Sequence, residues 1–248
     1  MNLAPLRILL AISWFSGCAG RPSADAPPRR EPKPEPAVAV AEAELGTIDE
    51  GAVTKVLGAL QTPIAKCHLA GRARVPALWG EVGLVLRIDG RGHVRYAHVS
   101  EASTLGDRDT ERCILALLIQ ATWPTPKDGE AEIRRSLPFA PGNEAPPLEW
   151  GPAKVLDSLA AANTVKAELE KCKVSGDLSL TGYVSSRDAG KKASKPAASD
   201  FSARFVSIGV GAKTHAGAMK ADCVVEALKL LALPNPGPSQ VAKVSFVL

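Results

Sequence analysis

Polar and apolar positions change period in an ordered way from residue 47 onward, and each change predicts an element. Thr47-Ile48-Asp49-Glu50 has the form of a capping box, and Val53, Val56, Leu57, Leu60 and Ile64 then recur at helical spacing. This helix is expected to fade after Cys67, near Gly71. Val82, Leu84, Leu86 and Ile88 alternate with Gly83, Val85 and Arg87, the period of a strand with one buried face. Asp89-Gly90-Arg91-Gly92 is a hairpin signal, and Val94, Tyr96 and His98 mark the returning strand. Asp107 or Asp109 opens a second helix with Ile114, Leu117, Leu118 and Ala121 inward. Trp123-Pro124 stops it, and Ala131 to Phe139 supplies a last strand. The predicted order is helix, hairpin, helix, strand.

A breaker cluster, Pro141 to Pro147, is followed by the same order again. Val155 to Cys172 reads as a helix with Leu156, Leu159, Val165 and Leu169 on its stripe. Leu178, Leu180 and Val184 mark a strand, and Phe201 to Val210 its hairpin partner. Between them lies a polar, lysine-rich loop, Ser185 to Asp200. Ala221 to Leu233 is a second helix and Val241 to Val247 a final strand. The two halves can be laid in register. Cys113-Ile-Leu-Ala-Leu-Leu leads to Pro124-Thr-Pro126 and ends at Pro138-Phe139. Cys223-Val-Val-Glu-Ala-Leu leads, at the same spacing, to Pro234-Asn-Pro236 and ends at Ser245-Phe246. An earlier cysteine, Cys67 or Cys172, closes the first helix of each half. This agreement marks an internal duplication. The expected fold class is α+β: two tandem helix-hairpin-helix-strand domains, 47–141 and 152–248, joined by a linker over 142–151. Each is expected to have two helices and three strands.

The N-terminus changes the setting. One basic residue, Arg7, precedes the apolar run Ile8 to Phe15, and Ser16-Gly17-Cys18 follows. The run is too short for a helix across a ~30 Å hydrocarbon core but fits a secretory h-region. Ser16-Gly17-Cys18 resembles the bacterial lipobox, with Phe15 standing where that motif has Leu. The resemblance implies a signal peptide over 1–17 and Cys18 as the lipidated first residue of the mature chain. An ordinary leader cut after a small residue is the other reading. Ala19 is not the Asp that resembles an inner-membrane retention signal, which favours the outer membrane. Arg21 to Pro36 is dense in proline and charge, and prefers solvated polyproline II at about 3.1 Å per residue. Residues 18–46 thus read as a lipidated tether.

Composition narrows the function. A formal charge of +4, with 30 basic and 26 acidic residues, is too mild for a phosphate-binding face, and 4% aromatics argues against base stacking. No nucleic-acid partner is expected. Cys67, Trp79-Gly80-Glu81-Val82, Ile88-Asp89-Gly90, Val99 and Ser103-Thr104-Leu105-Gly106-Asp107 resemble the AgmX/PglI C-terminal domain, a relative of the TonB C-terminal domain. Cys113, Pro124, Pro126 and Pro138-Phe139 continue the likeness. The second half lacks Trp-Gly and Ser-Thr-Leu, so it reads as a diverged copy. The resemblance implies a helix-hairpin-helix-strand fold with a three-stranded antiparallel sheet in each domain, and roles in bacterial envelope, gliding-motility or energy-transducer proteins, through binding rather than chemistry.

With Cys18 acylated, four cysteines allow three connectivities. The duplication selects Cys67–Cys113 and Cys172–Cys223, and export favours disulfides over metal or redox chemistry. Of the histidines His68, His93, His98 and His215, His68 adjoins Cys67 but has no second histidine or carboxylate at ligand spacing on its helix and is expected at the surface, and His98 is expected partly buried in its strand. Gly90-Arg91-Gly92 is a turn rather than a phosphate cradle, because no helix follows it directly. No catalytic residue, metal site, cofactor or small-molecule substrate is therefore expected.

The chain reads as a non-catalytic envelope lipoprotein, a protein-binding or scaffold module facing the periplasm and held to the outer membrane by its N-terminal lipid. A TonB-like energy transducer, or a component of a gliding-motility or transport complex, is the alternative. The expected partners are envelope proteins, by strand addition at Ala131–Phe139 or Val241–Val247.

Overall fold

The computed structural model describes residues 45–174, 178–186, 203–237 and 240–248, which fall in one compact unit spanning Ala43–Leu248. The expected signal peptide, Cys18 and most of the expected tether lie outside the described residues. So does the greater part of the expected 185–200 loop, since 187–202 are not among them. Among the described residues the fold is mixed α/β, with six helices and two sheets of three and four strands.

The first half runs α1 (Glu50–Arg74), β1 (Gly80–Ile88), β2 (Val94–Val99), α2 (Arg108–Gln120) and β3 (Ala131–Phe139). Its sheet is antiparallel in the order β2-β1-β3, so β1 is central. Val82, Leu84, Leu86 and Ile88 all face one way and are buried against Val53 and Ile64 of α1 and Ile114 and Leu118 of α2. The Asp89 carboxylate accepts from the N–H groups of Arg91 and His93, and Gly92 takes φ +82°, closing the hairpin with a residue suited to that region.

Two local expectations are corrected here. Asp49 caps α1, accepting from Ala52 N–H at 3.0 Å, whereas Thr47 pairs in a bridge with Lys127. Gly71 does not end the helix. It lies where α1 crosses α2 and Leu78, and a Cβ there would collide with Thr110 and Leu78.

The second half runs β4 (Leu148–Trp150), α3 (Ala153–Ala161), α4 (Asn163–Lys171), β5 (Leu178–Ser186), β6 (Ala203–Ala212), α5 (His215–Ala218), α6 (Ala221–Leu228) and β7 (Val241–Val247). Its sheet order is β4-β7-β5-β6. In both sheets the last strand pairs with the first strand of the hairpin. Val155, Leu159, Val165, Val224 and Leu228 cover the apolar face formed by Leu178, Leu180, Val184 and Val244.

The expected three-stranded sheet is here four-stranded. Leu148–Trp150, placed in the 142–151 linker by the sequence, pairs parallel to β7 with Trp150 opposite Val244. The expected two helices are four. The first breaks at Ala162 (φ −95°, ψ 77°) beside Asn163, a poor helix-interior residue, and Lys166 Nζ donates to the freed Ala160 carbonyl at 2.8 Å. A short α5 also precedes α6, which ends at Leu228.

Each half contains one disulfide: Cys67 with Cys113, joining α1 to α2, and Cys172 with Cys223, joining the end of α4 to α6. Both pairs are the ones expected from the sequence. Loops of 46 and 51 residues correspond to about 4 kcal/mol each in the chain-entropy account.

Candidate binding edge and the joint between the sheets

The backbone of β1 decides which groups of β3 are free. Glu81 gives its N–H to Thr104 Oγ1 at 3.1 Å. Its carbonyl accepts from the N–H groups of Thr104 and Leu105 (2.8 and 3.0 Å) and from the Ser103 hydroxyl (3.0 Å). The Gly83 carbonyl accepts from Ser100 N–H at 2.8 Å. The odd residues of β1 therefore turn their backbone groups away from β3. Its even residues face β3, where Val82 lies opposite Leu137, Leu84 opposite Arg135 and Leu86 opposite Ile133.

It follows from the alternation of a strand that Glu132, Arg134, Ser136 and Pro138 turn theirs to the free edge. Pro138, with no N–H to give, fits only that outward phase. Glu130, in the same phase, gives its carbonyl to Gly46 N–H at 2.8 Å, and Arg135 Nη1 donates to the Arg134 carbonyl at 2.8 Å. Among the described residues no strand pairs with β3 on this side.

The edge is also charged. Arg134 pairs with Glu132 at 2.9 Å and is largely exposed, while Arg135 pairs with Glu50 on α1. Val241–Val247 is no such edge. β7 lies between β4 and β5, because the residues leading into α3 lie along it.

The other face of the second sheet meets the first half. Its side chains there are small or polar: Ser179, Thr181, Ser207, Gly209, Gly211 and Ser245, with Tyr183 and Lys243. A Cβ on Gly209 would collide with the Glu111 carboxylate, and one on Gly211 with the Ser100 carbonyl. These glycines let the loop after β2 come in close. The Ser207 hydroxyl donates to the Gly106 carbonyl at 2.5 Å and stands 2.9 Å from Asp107 Oδ1. Asp107 caps α2 through Thr110 N–H (3.1 Å) and accepts from Arg74 at 2.5 Å. Tyr183 OH donates to the Trp79 carbonyl at 2.9 Å and accepts from the Trp79 N–H at 3.1 Å.

Trp79-Gly80 and Ser103 to Asp107, the residues behind the family resemblance, are thus built into the joint and its support. Sequence reasoning missed this use. The run of Ser, Thr and Gly on β5 and β6 was its only signal.

Glu111 is buried at this joint, 1% exposed, accepting from Val210 N–H at 3.3 Å. Burial pushes its carboxyl up to about 7, against the opposing pull of Arg108 and that hydrogen bond. Burial likewise lowers Lys243 and raises the Tyr183 hydroxyl to about 12. The cleft over the joint is lined by Arg74, Arg108 and Arg112 and by Asp107, Asp109 and Asp222. It carries both signs, and Arg108 is paired with Asp222 at 2.7 Å.

The histidines separate. His68, expected at the surface, is buried, because its ring packs 4.6 Å from Phe139 and its Nε2 lies 3.1 Å from the Leu78 carbonyl. Burial holds its pKa below the usual value. His93 is exposed on the hairpin near Asp89. His98 is buried, and His215 comes to it from α5 across the joint. Among the described residues no group of three or more His, Cys, Asp or Glu side chains is placed to hold a metal ion, and no helix is long and apolar enough to cross a membrane.

No family model, curated protein or solved structure matches this chain.

Proposed function

We propose that this chain is a non-catalytic lipoprotein of the bacterial envelope. In this reading Cys18 is lipidated, residues 18–46 form the tether, and the domains over 47–141 and 152–248 are tandem copies of one AgmX/PglI-like, TonB-C-like unit. The module faces the periplasm and receives an extended segment of an envelope protein along β3.

The observation that carries the reading is the row of outward N–H and C=O groups at Glu132, Arg134 and Ser136. These sit on a three-stranded sheet whose register is pinned through all nine residues of β3. An incoming strand would pair with that row. Arg134 and Arg135 favour acidic residues in it, and Ile133, Leu137 and Phe139 favour apolar ones at alternate positions. The shared order of first, second and last strands in the two sheets, and one disulfide in each half, support the tandem reading.

The test captures partners from intact envelopes with the full lipidated chain and with its Arg134→Pro variant, alongside labelled-palmitate incorporation. Lipid on the wild type but not on Cys18→Ala, and a partner retained by the wild type but lost by Arg134→Pro, are the expected results. Equal capture by both proteins would reject the β3 edge. Absence of label on the wild type would reject the lipoprotein.

A further inference from the structure

Tyr96 and His98 of β2 share the sheet face turned away from α1 and α2, and α5 and β6 of the second half lie against that strand. The contact at α5 is made of rings. His215 stacks on Tyr96 with centroids 4.6 Å apart and planes 17° apart, and it lies 6.1 Å from His98. His98 is 4% exposed, and neither of its ring nitrogens has a hydrogen-bond partner. His215 Nδ1 and Glu101 Oε2 are buried and unpartnered beside it. Four orphaned polar atoms at one contact mark a place where a protonation change has no fixed partner to absorb it.

We infer that His98 and His215 form a proton-sensitive latch, which holds α5 over β2 at neutral pH and lets it go on acidification. The groups facing His98 are His215 on α5, Arg134 and Glu132 on β3, Glu101 in the loop after β2, and Tyr96 on its own strand. Burial is the main cause that lowers the His98 pKa in the closed state, with the neighbouring His215 and Arg134 also opposing its protonation; Glu132 and Glu101 pull the other way and do not win. The closed state thus has the depressed pKa. The latch holds at full strength above the ordinary histidine value of 6.5 and weakens as pH falls below it.

Glu111 acts in the opposite sense at the contact between α2 and β6, since its carboxyl is neutral below about 7 and its burial costs less as pH falls toward 4.5. Acid therefore loosens the α5 corner while the α2–β6 contact stays shut.

Hydrogen exchange of the full chain without any partner, corrected for intrinsic rates, tests this at about pH 7.5 and about pH 5. Protection of Gly217, Ala218 and Met219, whose N–H groups bond within the α5 turn, should fall at least roughly tenfold in acid, while that of β1 and β2, paired to each other, holds. His98→Gln should show no such fall. His215→Gln, at the half-exposed partner, should show a several-fold smaller one. Unchanged α5 protection in the wild type, or an equal fall in both variants, would overturn the latch. Either result leaves partner binding at β3 to its own test.

Discussion

The ammonium of Lys243 stands 4.0 Å above the centre of the Trp79 ring and donates to the Trp79 carbonyl oxygen at 2.9 Å. Lys243 is on the last strand of the second sheet and Trp79 immediately precedes the first strand of the first sheet. A buried cation closed over by the other half's ring is a specific lock. Replacing it by Lys243→Met keeps the stem but removes the charge and the donor. The expected loss is about 1–2 kcal/mol in thermal or urea unfolding. It should come with a shift in tryptophan emission as the Trp79 environment changes.

Glu111 gives the joint a pH dependence of known sign. Its folded pKa of about 7 lies above the ordinary 4.5, so between those values the folded state binds more protons than the unfolded one. This group's contribution therefore falls as pH rises from about 4.5 to about 7 and stays low above that. Glu111→Gln retains an acceptor for Val210 N–H and removes the ionisation. It should raise stability above pH 7 by on the order of 2 kcal/mol and flatten this part of the profile, as read by denaturant midpoints across pH.

Adjacent proline substitutions on β3 should behave differently. Arg134→Pro removes an N–H that points to the free edge, as Pro138 already does, and is expected to cost under about 1 kcal/mol. Arg135→Pro removes an N–H that faces β1 opposite Leu84 and should cost about 3 kcal/mol or more. Chemical unfolding of the two variants checks this, and equal costs would refute the assigned phase.

Replacing both cysteines of either pair by serine removes one closed loop. Each double variant should lose up to about 4 kcal/mol. Limited proteolysis should open the half that carried the missing bond before the other.

Much of this was legible because the period is strong. Val82 to Ile88 fixed β1 and its buried face, and the bounds of β3 and β7 match Ala131–Phe139 and Val241–Val247. What was not legible depends on distant partners. Leu148-Glu149-Trp150 is too short to carry a period, and becomes a strand only because β7 has an edge to offer it. Gly71 reads locally as a stop, yet serves a helix crossing visible only once Thr110 is placed. His68 looks like any polar neighbour of a cysteine until Phe139 and the Leu78 carbonyl close over it. The joint was hidden for the same reason, since serine, threonine and glycine on a strand mimic a solvated face. At the β3 edge the residues were legible, but its outward phase needed the hydrogen bonds of Glu81.

Residue-resolved hydrogen exchange on the full chain, alone and with its captured partner bound, reads the central claim at the atoms concerned. The N–H groups of Glu132, Arg134 and Ser136 should become protected on binding, while those of Ile133, Arg135 and Leu137, already paired to β1, should not change. A bound partner that leaves all three outward amides exchanging at their free rate would contradict it.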